Sequence, residues 1–271
     1  MPHVAVNRSG RVKSCAVLAT MCAALLLTGG SKPAAKTNQS ARVSSNEPVA
    51  AGEAQSCDIS HLGIWIDAAR ETFTRVRDYQ CTFSKCERVD GVLQEEHSAV
   101  MKCRTDPFSV HLKFTAPKAV AGKEASYVQG RHNGKMRAKS TGALGLVGYI
   151  TIDPRDPRAM QGTRHSITEA GIGNLIDRLT QARRTVSTEG RMAPTVLVAE
   201  YTIGPRTCVR FDVTDPSADG VTNSHRTFIY FDKETNLPAR YESYDRAGDL
   251  IECFTYTELR FNLGLSDAAF P

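Results

Sequence analysis

The sequence contains no Cys-x-x-Cys pair, no His-x-x-x-His pair and no Gly-x-Ser-x-Gly motif. Nothing local therefore supports a metal site or a serine or cysteine nucleophile. Its candidate ligands His61, His97, His111, His132, His165 and His225 are scattered singly, and no catalytic, cofactor-binding or metal-ligating residue is assigned. Net charge is also small. The formal charge of +5 falls to +2 once Arg8, Arg11 and Lys13 are set aside, which is no nucleic-acid footprint. The basic runs at 131–139 and at Arg183 and Arg184 read as solvated edges. The uncharged run at 14–28 is too short for a comfortable membrane span.

That run does fit a secretory signal. Arg8, Arg11 and Lys13 precede it and Gly29, Gly30 and Ser31 follow it, giving a basic, an apolar and a small-residue region in order. Residues 1–31 are therefore expected to be a signal peptide, cleaved between Thr28 and Ala35; a retained anchor is the alternative. Residues 32–56 are rich in Ala, Ser, Asn, Gln and Lys, lack aromatic residues, and predict a disordered tether. Residues 57–271 are the right size for one domain with a substantial core. The mature chain is expected in the periplasm or cell envelope with no stable membrane span. It keeps Cys57, Cys81, Cys86, Cys103, Cys208 and Cys253. An even count in an oxidising compartment invites disulfides, and buried free thiols are the alternative. Cys81 and Cys86 fall on opposite faces of one predicted strand and cannot bond each other without a bulge.

Periodicity defines the elements. Leu62, Trp65, Ile66, Ala69, Phe73 and Val76 recur at three- and four-residue steps, predicting a helix over 62–77 with Ser60 as its cap. Strands follow at 79–88 and 92–104, joined by a turn at Asp90-Gly91. Residues 108–114 alternate strictly, with Phe108, Val110, Leu112 and Phe114 on one face. A hairpin at 124–139 turns through His132-Asn133-Gly134. Residues 141–152 mix Gly142, Gly145 and Gly148 with Leu144, Leu146 and Val147. They read either as a mobile apolar loop beside a binding surface or as a buried strand end with glycine bends. A second helix over 166–184, capped by Ser166 or Thr168, carries Ile172, Leu175, Ile176 and Leu179. Strands at 196–203 and 207–213 precede a closing meander over 226–262, which bears apolar bulk on both faces. Two helices against about nine strands, with no helix between most strands, predict an antiparallel α+β domain.

The closing segment DKETNLPARYESYDRAGDLIECFTYTELRFN, after a helix, a long meander and a short apolar helical insertion, resembles the outer-membrane lipoprotein carrier (LolA-like) superfamily. That superfamily includes the related domain of periplasmic stress-sensor regulators. More closely, DYQCTFSKCERVDGVL, KCRTDPFSVHLKF, ASYVQGRHNGKM, DPRDPRAM, RHSITE and FNLGLSDAAF resemble an uncharacterised bacterial family, the domain of unknown function fifteen-seventy-one, over about 58–271.

The resemblance implies an antiparallel, incompletely closed β-barrel, a half-barrel, covered by two or more helices. Its concave apolar face would hold acyl chains. Residues able to line such a cavity are Phe108, Val110, Leu112, Phe114, Leu144, Leu146, Ile172, Leu175, Ile176 and Leu179; ordinary core packing is their alternative reading. A non-enzymatic envelope protein binding a lipid, an acyl chain or a lipoprotein is the first expectation. A periplasmic sensor or interaction module binding a partner protein, with no small ligand, is the second. A hydrolase whose site assembles only in three dimensions is the third. Neither a cofactor nor a nucleic acid is implied. Arg104 and Arg164 are placed to bond lid to sheet, and Asp153, Arg155 and Asp156 to form turns.

Overall fold

A computed structural model describes residues 47–188, 194–217 and 224–271. The expected signal segment and residues 32–46 of the expected tether lie outside the described residues. In chain order the elements are β1 (Val49–Ala50), β2 (Gln55–Cys57), α1 (Ile59–Phe73), β3 (Asp78–Val89), β4 (Val92–Leu93), β5 (His97–Arg104), β6 (Ser109–Ala116), β7 (Glu124–Val128), β8 (Met136–Lys139) and β9 (Tyr149–Ile152). They continue with α2 (Ile172–Thr188), β10 (Thr195–Ile203), β11 (Arg206–Thr214), β12 (Arg226–Asp232), β13 (Pro238–Tyr244) and β14 (Leu250–Phe261).

All pairings are antiparallel, in the order β1, β10, β11, β12, β13, β14, β3, β5, β6, β7, β8, β9. The edge strands β1 and β9 do not meet. The sheet is therefore a half-barrel with two helices on its concave side, as the family resemblance implied. Its seam is the long-range pairing of β14 with β3, which sets Tyr256 opposite Phe83 and Cys253 opposite Cys86.

Three expectations need correction. Within the stretch expected as a disordered tether, β1 and β2 pair with β10, because β10 would otherwise leave a row of backbone donors and acceptors unpaired at the edge. The first helix starts earlier, capped by Asp58 rather than Ser60: the Asp58 carboxylate accepts from the Ser60 amide at 2.8 Å. It also ends sooner, so Val76 is buried just beyond it. The second predicted helix is two pieces, a 3-10 turn at Ile167–Glu169 capped by Ser166, then α2. The break falls at Gly171, whose φ of +100° interrupts the helical path.

One core joins both helices to the concave face. Leu62, Ile66 and Ala69 of α1 and Ile172, Leu175, Ile176 and Leu179 of α2 pack with Tyr79, Phe83, Met101, Phe211, Phe231 and Tyr256 from the strands. Trp65 and Phe211 lie against Phe231. The apolar bulk noted on the other face of the meander is covered from within the sheet. Tyr230, Cys208, Ile203 and Ala239 form a small convex cluster, and the Arg210 guanidinium lies 4.1 Å over Tyr201 and 4.5 Å over Phe228. The six cysteines among the described residues are all free thiols. Cys81 faces the core at 2% exposure while Cys86 lies on the opposite face, its thiol toward the Gln94 carbonyl at 3.2 Å.

Candidate functional site

The inward faces of the central strands are apolar until one end of the half-barrel. On β3 the inward series Tyr79, Cys81, Phe83 continues in the same alternation to Lys85 and Glu87. On β5 the series Cys103, Met101, Ala99 runs back to His97, and on β14 Tyr256, Phe254 runs back to Glu252. Pairing puts Lys85 opposite His97 and Glu252 opposite Glu87. A strand's two-residue period thus delivers charged groups onto the greasy face.

These groups are joined by the segment entering α2. His165 Nε2 bonds Glu252 at 2.6 Å and its Nδ1 meets Glu169 at 3.2 Å. Arg178 of α2 donates to the other Glu252 oxygen at 2.7 Å. Glu87 accepts from Lys85 at 2.5 Å, the Thr163 hydroxyl at 2.9 Å and the Arg164 amide at 3.1 Å. Glu87 and Glu252 are 2% and 4% exposed, so these partners are what satisfies their oxygens away from water. Burial pushes the Glu252 carboxyl up, but His165 and Arg178 outweigh it and hold it at about 2. Burial opposes charge on His165 too, and Glu252 again prevails, raising that imidazole above its ordinary value.

Donor atoms of Glu87, His165 and Glu252 all lie within 4.8 Å of one another, a grouping that no sequence spacing signalled. Lys85 and Arg178 already supply each carboxylate with a cation, so a divalent ion entering there would add charge the cluster does not need. Both ring nitrogens of His165 are engaged, which leaves no lone pair for general-base work. The chemistry of this cluster is that of a clasp between sheet, loop and helix. Arg164 contributes, donating to the Arg88 carbonyl at 3.2 Å, as expected for a residue bonding lid to sheet. Arg104 instead holds the C-terminal tail, bonding Asp267 at 2.8 Å.

Beside the clasp is a cavity of about 190 Å³. Phe83, Leu112, Phe114, Met136, Ile152 and Phe254 form its apolar walls, with Leu175 of α2 over them and Lys85, His97 and Lys123 at its polar side. A second, larger hollow of about 680 Å³ lies between the helices and β11–β14, with a more polar wall that includes Arg88, Arg164, Asp215 and Asp245. His165, Leu175 and Arg178 line both, so the clasp partitions them.

Among the cavity residues expected from sequence, Leu112, Phe114 and Leu175 line the first cavity and Leu175 and Leu179 the second. Phe108, Val110, Ile172 and Ile176 pack in the core away from both walls. Leu146 stands 90% exposed on a 3-10 turn at Gly142–Val147 and lines neither. The Leu144 side chain lies outside the described residues. Sequence reasoning missed Lys85, Glu87, Lys123, Arg178 and Glu252, and left His97 and His165 among the scattered histidines. The available signal was a charged residue sharing parity with an apolar strand face.

Over residues 76–271 the chain matches the family described as Protein of unknown function (DUF1571). It belongs to that family. The match agrees with the motifs quoted above and takes in every strand from β3 onward, together with α2. No curated protein matches the chain. Among solved structures, this DUF1571 chain is similar to lipoprotein LppX of Mycobacterium tuberculosis, at 14% identity and TM-score 0.45, over 76% of this chain and 98% of that one. It is similar to an uncharacterized conserved protein from Thermus thermophilus, at 10% identity and TM-score 0.44, over 78% and 92%. It is also similar to the MucA/MucB complex of Pseudomonas aeruginosa, at 16% identity and TM-score 0.43, over 77% and 59%. Among the described residues no helix is long and apolar enough to cross a membrane.

Proposed function

We propose that this protein is a non-enzymatic envelope binding module that takes the chain of a lipid, acyl compound or lipoprotein into the half-barrel. Residues 1–31 then act as the export signal, residues 32–48 as the tether and residues 49–271 as the binding domain. The observation that carries this reading is the apolar cavity of about 190 Å³ under α2. Protein interiors pack to the density of organic crystals, so a hollow walled by Phe83, Phe114 and Phe254 is space kept for an apolar occupant. Lipid extracted from native protein and identified by mass spectrometry is the direct test. Intact-mass measurement of protein from the envelope fraction checks export, with a new N-terminus expected between residues 28 and 35.

A filled cavity should abolish binding while the fold survives. Ala138 lines the hollow at 8% exposure, and Ala138→Phe directs a ring into it. Displacement of a fluorescent fatty-acid probe should weaken at least about tenfold, on the order of 1.4 kcal/mol, with far-ultraviolet dichroism unchanged. Absence of co-purifying lipid together with no probe binding by the native protein would overturn the chain-binding reading and leave a scaffold that recognises a partner protein.

A further inference from the structure

We propose that the cavity is built for an amphiphile with an anionic end group, a carboxylate or a phosphate, seated on Lys123 with His97 beside it. This rests on the chain-binding reading above and names the class of ligand. Lys123 directly precedes β7 and shares the inward parity of Ala125 and Tyr127, which pack against the core. It is 9% exposed and lines the hollow. Among the described residues its ammonium has neither an ion pair nor a hydrogen bond, and burial alone depresses its pKa. An ammonium held against an apolar cavity without a counter-charge is partly desolvated, a cost that an anion placed beside it would offset.

No neighbouring carboxylate is free to supply that charge. Glu124 also borders the hollow, but its carboxylate is taken up by His111 at 2.9 Å and by the Tyr149 hydroxyl. Glu87 is held by Lys85, Thr163 and Arg164. His97, packed edge-on to Phe114 at 5.9 Å, also lines the hollow. Burial, with Lys85 next and Lys123 adding to it, pushes its imidazole down to about 4. Near neutral pH it is therefore an uncharged ring able to donate one hydrogen bond. One unpaired cation and one neutral donor at the polar side of an apolar cavity, whose other charges are paired with one another, match an anionic head on an apolar chain.

The test uses the mature native protein at pH 7 and three ligands of one chain length: decanoate, decyl phosphate and 1-decanol. Calorimetric titration should show the two anions binding at least about tenfold tighter than the alcohol, the scale of a charge-assisted hydrogen bond. Lys123→Met should erase that preference and leave the alcohol's affinity unchanged, while Lys123→Arg should retain it. Preference for decanoate would point to free fatty acids, and preference for decyl phosphate to phosphorylated lipids; both support the proposal. Alcohol binding as tight as the anions, or equal weakening of all three by Lys123→Met, overturns the anionic-head inference alone. If none of the three binds, the chain-binding reading falls with it.

Discussion

Replacing Glu252 with alanine should lower the free energy of unfolding by about 2–4 kcal/mol. Breaking a buried pair typically costs about 3–5 kcal/mol because the abandoned charge stays buried. The figure is discounted here because the Arg178 side chain is 36% exposed and regains some water. The loss arises on both sides of the clasp, since Glu252 is shared by His165 and Arg178. Urea unfolding measures it, and a loss under about 1 kcal/mol would show that the clasp contributes little.

The same carboxylate sets a pH window. Glu252 has its pKa depressed to about 2 from an ordinary 4.5, so its contribution is complete above 4.5 and fades as pH falls toward 2. His165 has its pKa raised above 6.5, so its contribution is complete below 6.5 and fades as pH rises through the folded value. The clasp is therefore strongest between about pH 4.5 and 6.5. Glu252→Gln should flatten both flanks of the stability profile, and a profile unchanged by it would refute the pairing.

Gly171→Val should cost about 2–6 kcal/mol, through two independent mechanisms. At φ +100° a β-branched residue is strained by about 1–3 kcal/mol. Its Cβ would also lie 2.7 Å from the Tyr79 hydroxyl and 3.3 Å from the Cys103 sulfur, and overpacking of that kind adds about 1–3 kcal/mol. Tyr79 cannot retreat easily, being 1% exposed with its hydroxyl accepting the Ile172 amide at 2.8 Å. That amide begins α2, so the substitution also shifts the helix that carries Leu175 and Arg178 into the cavity wall. Unfolding within about 1 kcal/mol of the native chain, with probe binding intact, would mean that Gly171 does not seat the helix. Gly171→Ala should show the same effect at smaller size.

Much of the architecture was legible one element at a time. Strict alternation at Phe108, Val110, Leu112 and Phe114 identified a strand with one buried face, and the three- and four-residue steps of α1 and α2 identified two helices against a sheet. These signals are local, because a strand's period of two and a helix's 3.6 are fixed by backbone geometry alone. The cavity was only half legible for the same reason. Phe108 and Val110 share a face with Leu112 and Phe114, yet only the latter pair reaches the hollow, since parity gives the face and not the position along the barrel. Boundaries slipped where one residue's conformation decided them, as at Gly171, or where a distant edge recruited a polar segment, as with β1 and β2.

The sequence by itself determined an antiparallel α+β domain, its two apolar helices and its family. Only the tertiary structure decided where charge enters the core. Glu87 and Glu252 become neighbours through the β3–β14 register, and His165 and Arg178 reach them from a loop and a helix elsewhere in the chain. Lys123 is left unpaired because the carboxylate next to it in sequence is taken up by His111 and Tyr149. Long-range register is set by the packing of the whole sheet, and that packing turns scattered charges into a clasp and a lone cation beside the cavity.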